Sequence, residues 1–440
     1  MNRAGRILSL VNKYQDQAFF WLLRKCMRVW FSKWRHKAIL PFMRSGFFRL
    51  LFRGNSVSGA PNYLQVIFQR VFVASLRNPK ILLPLFIRSL RVCVTYRCNL
   101  SYKACYARGL LEEVGKTDMS VEDFTSLAGY CMERDWIRLR FLGGEPTVHP
   151  RFVEILDACY RRGIEISIPT NNLYSDEVAE KLDSRFVRDI AINYSAFLNG
   201  TAEQKKRFRK NLDHLRERGI PFSFSYILDA AGKDDSLESL YKDLEEYLPL
   251  YIRVSLELPA FSDRQFAFVP SEAGKFLFSR VYGMLERCAK IYVPFYIYRP
   301  IPLCLFSDEQ GRRIAHYSNF IFFTRCPLSY ANHNGYGMLV TVNPDLSTFP
   351  CASVFVKGPN ILSFKDRRAV NDYYAEKLRP ILETPLSDAC GNCPHHEKFL
   401  GAVRRKEGPP QPIFNDRMIC QGGCFSLRRH DSSLNTCRHE

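Results

Sequence analysis

From Val92 onward the chain alternates short β-branched runs with longer amphipathic ones, and this alternation constrains the fold more than any other feature. Strand patterns fall at 91–95, 137–142, 164–168, 188–194, 221–227 and 251–257. Helical patterns lie between them near 120–133, 151–161, 176–183, 203–218 and 236–247, and one more follows at 271–288. Strands that alternate with helices in this way make a parallel sheet, so the fold class is α/β. Six such units in about 200 residues fall short of the ~250 that a closed eight-unit barrel needs.

The loops after these strands carry the chemistry. Val92-Cys93-Val94-Thr95 leads into Cys98-Asn99-Leu100-Ser101-Tyr102-Lys103-Ala104-Cys105-Tyr106. A strand-end loop with clustered thiols is where a barrel-type enzyme would hold a cofactor. After the second strand comes Phe141-Leu142-Gly143-Gly144-Glu145-Pro146-Thr147-Val148-His149-Pro150. Glycines there let the backbone approach a ligand, and Glu145 supplies an acceptor at a strand end. Pro169-Thr170-Asn171-Asn172 follows the third strand and Asn193-Tyr194-Ser195 ends the fourth. Asn171 and Asn172 read equally well as turn formers. His149 reads as a turn or cap residue ahead of the next helix. Cys131 and Cys159 fall inside helical patterns and read as small buried hydrophobes, while Cys288 and Cys304 stand outside any ligand spacing.

The thiol loop and the GGEP element together resemble the radical SAM enzymes, whose signature on the loop after the first barrel strand is C-x3-C-x2-C. In that family three thiolates hold a 4Fe-4S cluster, and one iron stays open for S-adenosylmethionine (SAM). Cys98 and Cys105 match the first and third positions, and Tyr102 stands at the second. The resemblance implies a partial (β/α)6 TIM-like barrel. It also implies SAM contacts from Gly143, Gly144, Glu145 and Pro146, with Asn171 and Ser195 as polar contacts at the next strand ends. A phenol has an unperturbed pKa near ~10 and offers a hard oxygen to a soft site. Tyr102 could ligate iron only if the metal removed its proton. Cys93 is a poor substitute, since five strand residues place it roughly 16 Å upstream. Two thiolates with an unusual third ligand, a labile cluster and no cluster all stay open.

The net charge of +19 over 440 residues is concentrated at one end. Residues 1–90 hold 16 Lys or Arg and a single acid, Asp16, so this extension carries +15 of it. Phe19, Phe20, Trp21, Leu22, Leu23, Trp30, Phe31 and Trp34 alternate there with Arg24, Lys25, Arg28, Lys33 and Arg35. Such amphipathic helices pack on a neighbouring domain or lie on an anionic membrane surface, here through residues 1–53. An RNA or acidic-partner surface is the weakest of the three readings, and nucleic acid is not an expected partner. Gly54 to Asn62 reads as a linker. No run of about 18 apolar residues is free of charge, which argues against a membrane-spanning helix. The N-terminus lacks a signal-peptide pattern, because Lys13 and Asp16 interrupt its apolar stretches. Cysteine pairs in a chain of this size read as metal ligands in a reducing compartment. The expected location is cytoplasmic, with the extension peripheral at the inner membrane surface.

Seven cysteines lie in the last 115 residues: Cys326, Cys351, Cys390, Cys393, Cys420, Cys424 and Cys437. Their spacing resembles the SPASM extension of many radical SAM enzymes. Asn343-Pro344-Asp345 to Phe349-Pro350-Cys351 resembles that extension's hairpin, with Leu346 where Gly is usual. By the family's crossed arrangement, Cys390, Cys393, Cys420 and Cys437 would hold one auxiliary 4Fe-4S cluster. Cys326, Cys351 and Cys424 would hold a second, its fourth ligand unassigned. Structural zinc, aided by His395 or His396, and thiols without metal are the alternatives for this cluster.

The organisation expected is an extension at 1–90, the partial barrel at 91–290, a linker at 291–325 and the cysteine-rich domain at 326–440. The resemblance implies an oxidoreductase-type enzyme that reductively cleaves SAM to a 5′-deoxyadenosyl radical. Its substrate would be a peptide, a protein or another sizeable molecule, and a flavodoxin or ferredoxin would donate electrons. The contrasting reading is a family member without catalysis, serving as an iron–sulfur or zinc scaffold because Tyr102 replaces a cluster cysteine.

Overall fold

A computed structural model of the chain describes residues 89–101, 105, 117–134, 136, 138–228, 237–256, 270–291, 293–298, 306–315, 321–323, 340–351 and 356–383. Six strands carry the expected parallel succession: β1 (Ser89–Thr95), β2 (Arg138–Gly143), β3 (Glu165–Thr170), β4 (Val187–Asn193), β5 (Phe222–Leu228) and β6 (Ile252–Leu256). Each pairs in parallel with the next. The helices between them are α1 (Val121–Glu133), α2 (Phe152–Arg162), α3 (Asp176–Lys181), α4 (Tyr194–Leu198), α5 (Ala202–Glu217) and α6 (Leu237–Tyr247); α7 (Pro270–Lys290) follows β6.

Local chemistry explains the helix ends. Ser120 caps α1 by accepting from the Asp123 N–H, and Thr201 and Gln204 form a reciprocal capping box on α5. Gly163 closes α2 at φ 68°, a left-handed position suited to glycine. One face of the sheet buries Val92, Leu139, Phe141, Ile166, Ile190, Phe224, Ile252 and Phe295 in the same core as Phe124, Phe152, Phe208 and Leu244 of the helices. Helices on that face follow from the parallel connections.

The sheet runs beyond the six units. The stretch 291–325 contributes β7 (Phe295–Ile297), α8 (Asp308–Ala315) and β8 (Ile321–Phe323), with β7 and β8 extending the parallel order, rather than a bare connection. Each strand has three residues, too few to show a hydrophobic period. At the other edge β9 (Thr341–Val342) pairs in parallel with β1, and β10 (Ser347–Phe349) folds back on β9. β11 (Gly358–Asn360) closes this edge, and α9 (Arg367–Glu383) follows. The order is β11-β10-β9-β1-β2-β3-β4-β5-β6-β7-β8, an open sheet of the partial-barrel type.

The β9–β10 turn keeps its shape without glycine. Leu346 sits at φ 63° and its N–H donates to the Asn343 carbonyl at 2.9 Å. Asp345 Oδ1 accepts from the Ser347 N–H at 3.0 Å, and Leu346 itself is buried. Burial of a leucine side chain, about 1.5–3 kcal/mol, offsets the roughly 1–2 kcal/mol cost of the left-handed backbone.

Candidate functional site

The first thiol loop is fastened at both ends to the exit of β1. Thr95 Oγ1 donates to Asp118 Oδ1 at 2.6 Å, and Arg97 Nε donates to Asp118 Oδ2 at 2.7 Å. The Tyr96 N–H donates to the Thr117 carbonyl and the Met119 N–H to the Val94 carbonyl, both at 2.9 Å. Cys98 is exposed and Cys105 half-buried. The protein around Cys98 pushes its thiol up to about 11, and the charges of Glu145 and Cys105 push the same way. N–H groups of Leu100 and Asn99 pull against this shift. The two cysteines therefore lie within electrostatic reach of each other. Tyr102 lies outside the described residues.

The GGEP element is laid against that exit. The Gly144 N–H donates to the Thr95 carbonyl at 3.0 Å and the Glu145 N–H to the Arg97 carbonyl at 2.8 Å. A Cβ on Gly143, which has φ 130°, would stand 1.9 Å from the Thr95 oxygen. One on Gly144 would stand 2.2 Å from the Arg97 oxygen. Both glycines thus serve an approach of backbone to backbone, immediately before Cys98. Pro146 opens a single 3-10 turn, Pro146–Val148, and is buried.

Glu145 is buried and joins three strand ends. Its Oε1 accepts from Thr147 Oγ1 at 2.6 Å, Thr170 Oγ1 at 2.8 Å and the Thr147 N–H at 3.2 Å. Its Oε2 accepts from the Asn171 N–H at 2.7 Å. Burial raises the carboxyl's pKa above the usual range, and these four donors oppose the shift. Asn171 Nδ2 donates to Asn99 Oδ1 at 2.6 Å, and Asn171 Oδ1 accepts from the Leu173 N–H at 3.0 Å. Asn171 is therefore both the turn former and a tether to the thiol loop. At the next strand end the Ser195 N–H donates to Asn193 Oδ1 at 3.2 Å, and Ser195 Oγ accepts from the Ile227 N–H at 3.1 Å. Its hydroxyl keeps a proton to donate.

Cys98, Gly143, Gly144, Glu145, Pro146, Asn171 and Ser195 thus gather at the C-terminal ends of β1 to β4. Asn99, Thr170 and Asp118 complete the arrangement; Asp118 sits beyond every motif, and only the fold reveals it. His149 is a brace: Nε2–H donates to the Met119 carbonyl at 2.8 Å and Nδ1 accepts from the Arg151 N–H at 3.0 Å.

Other described thiols differ from this pair. Cys93, Cys131, Cys159 and Cys288 are buried, and desolvation raises each thiol, that of Cys93 to about 12. Cys351 is half-buried just past β10. Cys326, Cys390, Cys393, Cys420, Cys424 and Cys437 lie outside the described residues, as do His395 and His396. Among the described residues no group of three or more His, Cys, Asp or Glu side chains could hold a metal ion. The soft thiols of Cys98 and Cys105 fit iron–sulfur ligation, and the second position of the motif holds the Tyr102 phenol in sequence.

Comparison with known proteins bears on the same stretch. Residues 92–244 match the model of the Radical SAM superfamily. A tungsten-containing aldehyde ferredoxin oxidoreductase cofactor-modifying protein of Pyrococcus furiosus is 33% identical over 92 residues, which are 20% of this chain and 25% of that protein. A probable GTP 3′,8-cyclase of Methanococcus maripaludis is 32% identical over 97 residues, 22% of this chain and 32% of its own length. The match thus spans a quarter to a third of these relatives. Among solved structures, Streptococcus suis SuiB is similar with a TM-score of 0.48 at 13% identity, covering 76% of this chain and 77% of that one. The family match begins at β1 and takes in the thiol loop, the GGEP element, Asn171 and Ser195: residues 92–244 form a radical SAM domain.

Proposed function

We propose that this chain is a radical SAM enzyme of the oxidoreductase type, acting on a peptide, a protein or another sizeable substrate. One observation carries the reading. The GGEP backbone, Glu145 and Asn171 are hydrogen-bonded into the loop that bears Cys98, so the groups expected to meet SAM and those expected to meet iron form one unit. Cys98 and Cys105 would hold the cluster, and Gly143, Gly144, Glu145 and Pro146 would face the amino group of SAM. Glu145 Oε2 accepts a single hydrogen bond and keeps a lone pair for that ammonium. Asn171 and Ser195 would add polar contacts. When bound, the cluster and SAM supply a 5′-deoxyadenosyl radical; the protein's part is to orient the substrate and exclude water.

The same reading assigns auxiliary 4Fe-4S clusters to Cys390, Cys393, Cys420 and Cys437, and to Cys326, Cys351 and Cys424. The position of Cys351 just past a hairpin built onto the edge of β1 supports it. A flavodoxin or ferredoxin is the proposed electron donor. Residues 1–53 are the proposed contact with a membrane surface, supported by their basic and aromatic pattern; no helix among the described residues is long and apolar enough to cross a membrane.

Tyr102 favours a second reading, a binding or scaffold protein without catalysis. Oxygen-free protein, reconstituted and strongly reduced, is assayed for 5′-deoxyadenosine from SAM. Product from the chain as it stands supports the enzyme. Product only from Tyr102→Cys supports the scaffold, and no product from either removes the enzymatic reading.

A further inference from the structure

Parallel strands in a barrel normally present apolar side chains on both faces. Here the face away from the helices is polar. Arg91 of β1 is registered with Arg140 of β2, Arg140 with Ser167 of β3, and Ser167 with Asp189 of β4. On the far side Ser225 of β5 is registered with Arg253 of β6, and Arg253 with Tyr296 of β7. These residues alternate with the core positions Val92, Leu139, Ile166, Ile190, Phe224, Val254 and Phe295, so they share the opposite face.

The two sides meet. Tyr251, just before β6, feels the charges of Asp189, Arg140 and Arg253, which come from three different strands. Its ring lies 4.9 Å from that of Tyr296, and the Arg253 guanidinium stands 4.5 Å from the Tyr298 ring. Arg91, Arg140 and Arg253 against Asp189 leave the wall cationic. Below it Arg138 and Glu165 neutralise each other through a buried contact of 2.6 Å. Among the described residues, Ser167 Oγ and Arg253 Nε are two of the buried polar atoms on this face that find no hydrogen-bond partner. Ser167 is 4% exposed. Buried polar atoms are rarely left unpaired, and such atoms on a cationic wall point to an oxyanion.

We propose that this face is an oxyanion-binding chamber that holds a carboxylate or phosphate of the substrate, with Arg140, Arg253 and Ser167 as its donors. This rests on the reading of the chain as a radical SAM enzyme. The donors lie three to four residues below the thiol loop and the GGEP element, roughly 10–13 Å along the strands. An anchored anion at that depth leaves the remainder of a sizeable substrate beneath the site.

The test uses the full chain without iron or SAM, and two probes, inorganic pyrophosphate and succinate. Calorimetric binding of at least one probe is expected, and which one binds separates phosphate from carboxylate. Arg140→Gln and Arg253→Gln should each weaken it about tenfold, as loss of a charged hydrogen bond implies. Arg207→Gln on exposed α5 should leave it unchanged. The basic extension also attracts anions, so a second readout needs no variant. The probe should slow phenylglyoxal labelling of Arg140 and Arg253, read by mass spectrometry. Equal affinity in both Gln variants, no binding of either probe, or unprotected labelling would overturn the chamber. 5′-Deoxyadenosine formation, measured on the same protein after reconstitution, fails or succeeds independently of that result.

Discussion

Asn171 Nδ2 donates to Asn99 Oδ1 at 2.6 Å, tying the end of β3 to the residue that follows Cys98. Asn171→Ala removes this tie and the acceptor of the Leu173 N–H. Two neutral hydrogen bonds are worth about 1–3 kcal/mol together. The loss should also show locally. Amide exchange in residues 98–101 should accelerate while that of β5 stays as it was. An unchanged loop would mean that Asn171 does not hold it.

The glycines of GGEP make a sharper prediction. Gly144→Ala places a Cβ 2.2 Å from the Arg97 oxygen, and that neighbour is backbone. The strand exit must move, and the variant should lose more than about 3 kcal/mol of stability in urea or fail to accumulate. Gly129 has no atom within 4 Å of its notional Cβ, so Gly129→Ala in α1 is the control that should gain stability.

Tyr96 makes a similar link to the far end of the chain. Its hydroxyl donates to Asn343 Oδ1 inside the protein, across 247 residues of sequence. Tyr96→Phe leaves that amide oxygen without its donor, at a cost of about 1–3 kcal/mol. Hydrogen exchange should rise first in β9 and β10, whose turn Asn343 begins.

Six strands and the helices beside them were legible because each is long enough to show its period. The pairing of β9 with β1 was not, since nothing in either short segment encodes a partner so far away. At the site, the motif residues were legible and their relations were not. The glycines read as room for a ligand, yet the Thr95 and Arg97 carbonyls fill the space beside them. Asn171 and Asn172 read alike, but Asn171 faces the thiol loop while Asn172, at φ 66°, donates to the Phe208 carbonyl at 2.9 Å. Side-chain direction at a turn is set by tertiary contacts, and spacing alone does not carry it.

His149 predicts a dependence on pH. Burial lowers its pKa from the ordinary 6.5, outweighing the opposing contact with the Met119 carbonyl. As pH falls through about 6.5, the unfolded imidazole takes up a proton that the folded one refuses. Stability should therefore decline with acid until the folded ring titrates, then lose no more from this group. Urea midpoints between about pH 5 and 8 should fall less steeply in His149→Gln.

Iron and acid-labile sulfide in oxygen-free, reconstituted protein test the central claim most directly. The chain and its Cys98→Ser, Cys105→Ser double variant should differ by one cluster's content, with the loss seen in the reduced protein's paramagnetic spectrum. Equal iron and sulfide in the two, or zinc with no sulfide in either, would contradict a cluster on the loop after β1.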